Sequence, residues 1–102
     1  MKFRDYFKEN AMQLYRGKSV YNKNGHYWSI DKEWARQFTQ SGLDSEIEAR
    51  VFDDKTILRM NPLPQATDEG SMENAIKKGV LGGYKGIVVD EGRGQPNSVY
   101  MF

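Results

Sequence analysis

Hydrophobic and polar residues alternate along several short stretches of the chain, and a period of two is typical of β-strands. The clearest stretch is Glu46–Phe52, in which Ile47, Ala49 and Val51 share one side and the charged residues share the other, solvent-facing side. It predicts a half-buried strand that forms an antiparallel hairpin with a strand over Thr56–Met60. Shorter apolar runs predict four more strands, over residues 13–16, 26–29, 87–89 and 98–102.

Three other segments space their apolar residues as amphipathic helices do. They cover residues of about 3–12, 31–40 and 71–81. Asp31 and Ser71 are predicted to cap the second and third helices, because their side-chain oxygens can accept hydrogen bonds from free amide groups of the first turn. In the second helix, Trp34, Ala35 and Phe38 form the apolar face. The glycine-rich and polar segments between these elements are predicted to be loops.

The mixture of short strands and helices predicts an α+β fold with mostly antiparallel strands. The chain has 102 residues, of which 38% are hydrophobic. That is enough for one globular core, and it leaves no room for a second. We therefore expect a single domain that spans residues 1–102.

Charge and residue usage narrow the classes of partner. Lysine and arginine (15) nearly balance aspartate and glutamate (14), so the net charge of +1 gives no reason to expect nucleic acid as a partner. The chain has no cysteine and a single histidine, His26, so no metal site is expected. No apolar run suits a signal peptide or a membrane span, so we expect a cytoplasmic protein without a membrane partner.

Four motifs resemble, in their order and spacing, those of the ADP-ribosyltransferase superfamily. They are Leu14-Tyr15-Arg16-Gly17, Gly25–Ser29 with Ala35 eight residues after Tyr27, Gly83–Val89, and Ser98–Phe102. The resemblance covers most of the chain. It implies an ADP-ribosyltransferase-like fold, with short, mostly antiparallel strands in two small sheets and two or three helices. It also implies that NAD is the cofactor, gripped between the first two strands, and that a protein is the target.

The first motif is expected to bind the cofactor. By resemblance, Tyr15, Arg16 and Gly17 belong to the NAD site. Arg16 could hold the ribose or a phosphate through its forked donors, and Gly17 could let the nicotinamide amide approach the backbone. The plain alternatives are a surface ion pair for Arg16 and a turn for Gly17.

The second motif is expected to complete the cofactor site. Strand alternation places Tyr27 and Ser29 on one face and Trp28 on the other, so a buried Trp28 would direct Tyr27 toward the cleft. Tyr27 could stack on the nicotinamide ring, and Ser29 could hydrogen-bond the ribose. The alternatives are a core aromatic for Tyr27 and a backbone hydrogen bond near Asp31 for Ser29.

ADP-ribosyl transfer develops positive charge on the ribose, so an enzyme needs a carboxylate nearby. Active members of the superfamily usually carry a catalytic glutamate where the final strand begins, and this chain has Pro96-Asn97-Ser98 there. The nearest acids are Asp90 and Glu91. Some small phage-encoded relatives, including an anti-CRISPR transferase, place their acid near this earlier position. Glu91, Asp90 and Arg16 are therefore the expected catalytic residues, with turn formation as the alternative for both acids.

Three hypotheses about function follow from these motifs. The first is an NAD-dependent mono-ADP-ribosyltransferase that modifies a host or partner protein, as a phage counter-defence effector of the anti-CRISPR type would. The second is a catalytically inactive scaffold of the same kind that inhibits a partner by docking. The third uses the same cleft for NAD hydrolysis or for a reaction like that of tRNA 2′-phosphotransferases. The ordered motifs favour the first hypothesis, and the missing glutamate of the last strand favours the second.

Overall fold

The computed structural model of this chain describes residues 11–18 and 25–102. These residues form six strands and two helices, with 3-10 turns at Asp44–Glu46 and Asp54–Thr56. The elements are β1 (Ala11–Gly17), β2 (Tyr27–Ser29), α1 (Lys32–Arg36), β3 (Ile47–Asp53), β4 (Ile57–Leu58), α2 (Glu69–Leu81), β5 (Gly86–Val89) and β6 (Ser98–Met101). The helix predicted over residues 3–12 lies outside the described residues, except for its last two, which begin β1 instead.

All six strands belong to one sheet, in the order β3-β1-β2-β6-β5-β4. Neighbouring strands are antiparallel except β4 and β5, which run parallel. Within the described residues β3 and β4 are the two edges of the sheet, yet only Asp54–Thr56 connects them along the chain. Because an extended chain spans about 3.5 Å per residue, the two edges lie within roughly 14 Å of each other there. The sheet therefore curls into a half-barrel.

The inner side of the curl holds a hydrophobic core to which every strand contributes. Its fully or nearly buried members are Leu14, Trp28, Ile57, Val88 and Val99, from β1, β2, β4, β5 and β6. Phe52 of β3 joins them, because its ring meets the Trp28 ring edge-on with the centroids 5.3 Å apart. Burial of these side chains out of water is the main force that keeps the sheet curled.

The two helices lie on the outer side of the sheet. Met72 and Ala75 of α2 pack against Ile87 and Val89 of β5, and all four residues are buried. Each fully buried aliphatic side chain of this kind contributes about 1.5–3 kcal/mol, so the contact anchors α2. Helix α1 lies over β1.

Helix α1 begins and packs as its sequence requires. Asp31 caps it, as predicted, because its carboxylate accepts hydrogen bonds from two amide groups of the first turn at 2.8 and 3.2 Å. Gly17 permits close contact with β1. A Cβ at this position would lie 2.6 Å from the carbonyl oxygen of Ala35 and 2.8 Å from the carbonyl carbon of Phe38.

The fold class predicted by resemblance was wrong. A single curled sheet replaces the two small sheets, and α2, with 13 residues, is the one helix of more than five residues in the described part. The physical reason is the pairing of β2 with β6, in which Tyr27, Trp28 and Ser29 are each opposite a residue of the last strand. This ladder joins what would have been two sheets into one.

The predicted hairpin between residues 46–52 and 56–60 was also wrong. Strand β3 instead pairs with β1 over its whole length, from Ile47 to Asp53, and β4 pairs with β5 at the far edge. The predicted apolar side of β3 is not the buried one, since Val51 is 62% exposed.

The predicted helix boundaries need smaller corrections. Helix α1 ends at Arg36 instead of near residue 40. Helix α2 begins two residues earlier than predicted, and Asp68 caps it in place of Ser71. The Asp68 carboxylate accepts hydrogen bonds from the amide of Ser71 at 3.4 Å and from its hydroxyl at 2.9 Å, which lowers the pKa of Asp68.

We expect Gly17→Ala to lower the free energy of unfolding by about 1–3 kcal/mol, because its methyl group would collide with backbone atoms of α1. Gly70→Ala, in the first turn of α2, is the matched control. Its methyl group would meet nothing closer than 3.6 Å, and alanine favours a helix, so stability should stay equal or rise by up to about 1 kcal/mol. Urea unfolding followed by circular dichroism measures both. Equal stability of the two variants would contradict the close packing of α1 on β1.

Candidate functional site

The outer side of the sheet carries a cavity of about 290 Å³. This volume is near the lower end of the range for small-molecule sites, about 300–1,000 Å³. The cavity opens between α1 and the segments that precede α2 and follow β5. The lining is mostly apolar and aromatic, and its residues are Tyr15–Gly17, Tyr27–Ser29, Trp34, Ala35, Phe38, Ala66, Thr67, Glu91 and Ser98.

Strand register builds the floor of the cavity. Tyr15 is opposite Ser29, and Ser29 is opposite Ser98, so these three side chains form a row across β1, β2 and β6. Tyr27, two residues before Ser29, points to the same face. Ser29 is 4% exposed, and its hydroxyl accepts a hydrogen bond from the amide of Asp31 at 3.0 Å. Ser29 thus makes the backbone bond that was one of its two expected roles.

Two aromatic side chains line the cavity on the side of α1. Trp34 belongs to α1 and Phe38 to the turn that follows it, and both line the cavity. Their rings meet edge-on with the centroids 6.0 Å apart. Ala35, which is 2% exposed, fills the space against Gly17. The apolar face predicted for this helix is thus also the wall of a cavity.

The two candidate acids, Asp90 and Glu91, have different places in the structure. Strand β5 directs Ile87 and Val89 to the outer face, and Glu91 continues this alternation and lines the cavity. Asp90 does not line it. The Asp90 carboxylate accepts a hydrogen bond from the amide of Gly92 at 2.8 Å, so it stabilises the turn after β5.

Tyr27 is close to both β6 and the acid. Its ring meets that of Tyr100 edge-on, with the centroids 5.1 Å apart. Partial burial raises the pKa of the Tyr27 hydroxyl, and the neighbouring Tyr100 and the negative charge of Glu91 raise it further. Tyr27 is therefore a neutral phenol at physiological pH.

Arg16 borders the cavity, but its charged group lies elsewhere. Because Tyr15 and Gly17 belong to the outer face, strand alternation sends the Arg16 side chain to the inner face. There its guanidinium donates a hydrogen bond to Glu48 at 2.6 Å and lies 5.1 Å from the centroid of the Trp28 ring. The expected role of Arg16 toward NAD stays a prediction, and its ion pair is observed.

Glu48 holds two arginines on the inner face. Arg16 and Arg50 each donate to one of its oxygens at 2.6 Å, and its side chain is 21% exposed. Burial alone raises the pKa of Glu48, but attraction to the two guanidinium groups and their hydrogen bonds outweigh burial and hold the pKa below its usual 4.5. The expectation that Glu48 faces solvent was wrong, because β3 places it beside Arg16 in the curl.

The cavity brings together most of the residues predicted for the site. Those that line it are Tyr15, Arg16, Gly17, Tyr27, Ser29 and Glu91, whereas Asp90 belongs to the turn. Lining residues that were not predicted for the site are Trp28, Trp34, Ala35, Phe38, Ala66, Thr67 and Ser98. The spacing of Trp34 and Phe38 indicated an apolar face, but no local pattern indicates that such a face opens onto a cavity. No pattern in the sequence indicated that Ala66 and Thr67 belong to the site.

The cavity is the structural feature from which a function can be inferred. Within residues 11–18 and 25–102, no group of three or more histidine, cysteine, aspartate or glutamate side chains is placed to hold a metal ion. Among the described helices, none combines the length and apolarity needed to cross a membrane. No family model, curated protein or solved structure matches the chain.

The ion pairs of Glu48 predict a specific pH dependence of stability. Its pKa in the folded chain lies below the unfolded value of about 4.5, so its stabilisation is present above that pH and is lost as the pH falls through the folded-state pKa. We expect Glu48→Gln to lower the free energy of unfolding at neutral pH by about 1–2 kcal/mol. The variant should also lose less stability than the parent chain between about pH 5 and 3.

Urea unfolding over this pH range measures the effect. Glu73→Gln is the control, because its ion pair with Lys77 is exposed, with side chains 68% and 72% accessible, and contributes little. Parallel pH profiles for the parent chain and Glu48→Gln would contradict the assignment.

Proposed function

We propose that this chain is an NAD-dependent mono-ADP-ribosyltransferase that modifies a partner protein in the cytoplasm. The observation that carries the proposal is that one cavity unites Gly17, Tyr27 and Glu91, which belong to distant motifs of the sequence. An aromatic face and a carboxylate are groups that this chemistry requires, whereas Gly17 is buried and lets the backbone of the α1 segment approach β1.

The cavity suits the nicotinamide end of NAD. A volume of about 290 Å³ accommodates a planar ring with part of its ribose, so the adenosine diphosphate portion must lie outside. Tyr15 and Tyr27 offer aromatic faces to a cationic ring. The Ser29 hydroxyl accepts a hydrogen bond from the Asp31 amide and keeps its own hydrogen, which can be donated to a ribose oxygen.

The reaction needs positive charge to be stabilised on the ribose. NAD supplies the ADP-ribosyl group and carries nicotinamide as the leaving group. Glu91 holds a negative charge in a mostly apolar cavity, where its attraction for a developing cation is stronger than in water. Trp34 and Phe38 shield this space from solvent on the side of α1.

A second candidate is a catalytically inactive protein that inhibits a partner by docking. Two placements favour it. Arg16 is engaged by Glu48 on the inner face, away from the cavity. The last strand begins with Ser98, where active members of the superfamily that the sequence resembles usually carry a glutamate. The two candidates differ in whether NAD is bound and consumed.

We expect calorimetric titration to detect NAD binding and an assay of nicotinamide release to detect turnover. Glu91→Gln should lower turnover by about 10²–10³-fold and weaken NAD binding by no more than about tenfold, because the charge acts more strongly on the transition state than on bound NAD. The matched control is Glu73→Gln, whose acid is exposed on α2 and does not line the cavity.

Labelled NAD incubated with protein extract shows where the ADP-ribosyl group goes. Label on a protein supports the transferase, and nicotinamide release without labelled protein indicates hydrolysis or transfer to another acceptor. An equal loss of binding and turnover in Glu91→Gln would assign Glu91 a structural role. Absence of binding at about millimolar NAD would favour the docking protein.

A further inference from the structure

Among the described lining residues, the charge that faces the cavity is negative. Among the described lining residues, Glu91 is the single acid and Arg16 the single base. The Arg16 guanidinium lies on the inner face and is compensated there by Glu48, 2.6 Å away. On the outer face the Glu91 carboxylate therefore has no basic side chain opposite it among the described lining residues.

Aromatic side chains are prominent among the remaining lining residues. Tyr15, Tyr27, Trp34 and Phe38 line the cavity from β1, β2 and the α1 segment. The face of an aromatic ring carries partial negative charge and attracts a cation within about 6 Å of its centroid. Several rings together with one carboxylate are a known arrangement for holding an organic cation.

The mostly apolar lining indicates which kind of cation fits. A primary ammonium brings three N–H donors and a guanidinium brings five, and each donor needs an acceptor once it leaves water. Besides Glu91, hydroxyl acceptors are carried by Thr67, Ser98, the tyrosines and Ser29, whose oxygen already accepts one hydrogen bond from the Asp31 amide, and the remaining lining is mostly apolar. A nitrogen with four carbon substituents, or an alkylated nitrogen of an aromatic ring, has no N–H group. It therefore brings no donor that would need an acceptor in the cavity.

We infer that this cavity selectively binds small organic cations with a quaternary nitrogen, such as trimethylammonium or N-alkylpyridinium groups. The positive group contacts the rings of Tyr27, Trp34 and Phe38, and Glu91 balances its charge. This inference goes beyond the proposed transferase activity, because it holds for the cavity whether or not NAD is its ligand.

Choline and its uncharged carbon analogue, 3,3-dimethylbutan-1-ol, provide the test, since they have nearly the same shape and differ in charge. NMR titrations of the full chain at constant ionic strength give both dissociation constants. We expect choline to bind at least about tenfold more tightly than the analogue. The largest shifts should occur at the indole of Trp34 and at Tyr27. Sodium chloride at the same concentrations controls for ionic effects.

Two variants separate the contributions of charge and ring. Glu91→Gln removes the charge, and Phe38→Leu removes a ring while it keeps most of the apolar volume. Each should weaken choline binding by at least about threefold more than it weakens binding of the analogue. Glu73→Gln, outside the cavity, should change neither affinity. Circular dichroism establishes that each variant is folded.

Equal affinities for choline and its analogue, or no binding of choline, would overturn the inference. So would a preference for choline that persists unchanged in both Glu91→Gln and Phe38→Leu. Selective binding of choline without binding of NAD would support the inference and contradict the proposed transferase activity. A chain that binds NAD without preferring choline removes the inference alone.

Discussion

The connection between β3 and β4 is the constraint on which the rest of the structure depends. These strands form opposite edges of the described sheet, and the three residues Asp54–Thr56 join them. Such a short link forces the edges together, so the sheet has to curl. Curling gives the sheet an inner side, which all six strands fill with apolar side chains around Trp28, and an outer side, which carries both helices and the cavity.

Neighbouring residues of a strand point to opposite sides of the sheet and therefore have different roles. In β1, Tyr15 and Gly17 face the cavity, whereas Arg16 between them points inward to Glu48 and Trp28. A motif that is continuous in the sequence is therefore divided between two faces by the alternation of a strand. Its glycine lets α1 approach, and its arginine binds the edge strand to the interior.

The same alternation explains why two glutamates differ in chemistry. Glu48 faces inward and is paired with two arginines, so its negative charge stabilises the fold. Glu91 follows β5 on the outer face, among aromatic rings and away from the guanidinium groups, so its charge is available to a ligand. The location of a carboxylate relative to the curl, more than its residue type, determines what it can do.

Local patterns in the sequence determined the places of most strands, the cap of α1 by Asp31, and the opposite faces of Tyr27 and Trp28. These features follow from capping and alternation, which act over a few residues. Only the tertiary structure decided the order of the strands, the partner of β4 and the choice of Glu91 over Asp90 as the acid in the cavity. Strand pairing depends on contacts between distant segments, and no local spacing encodes which edges a short connection will bring together.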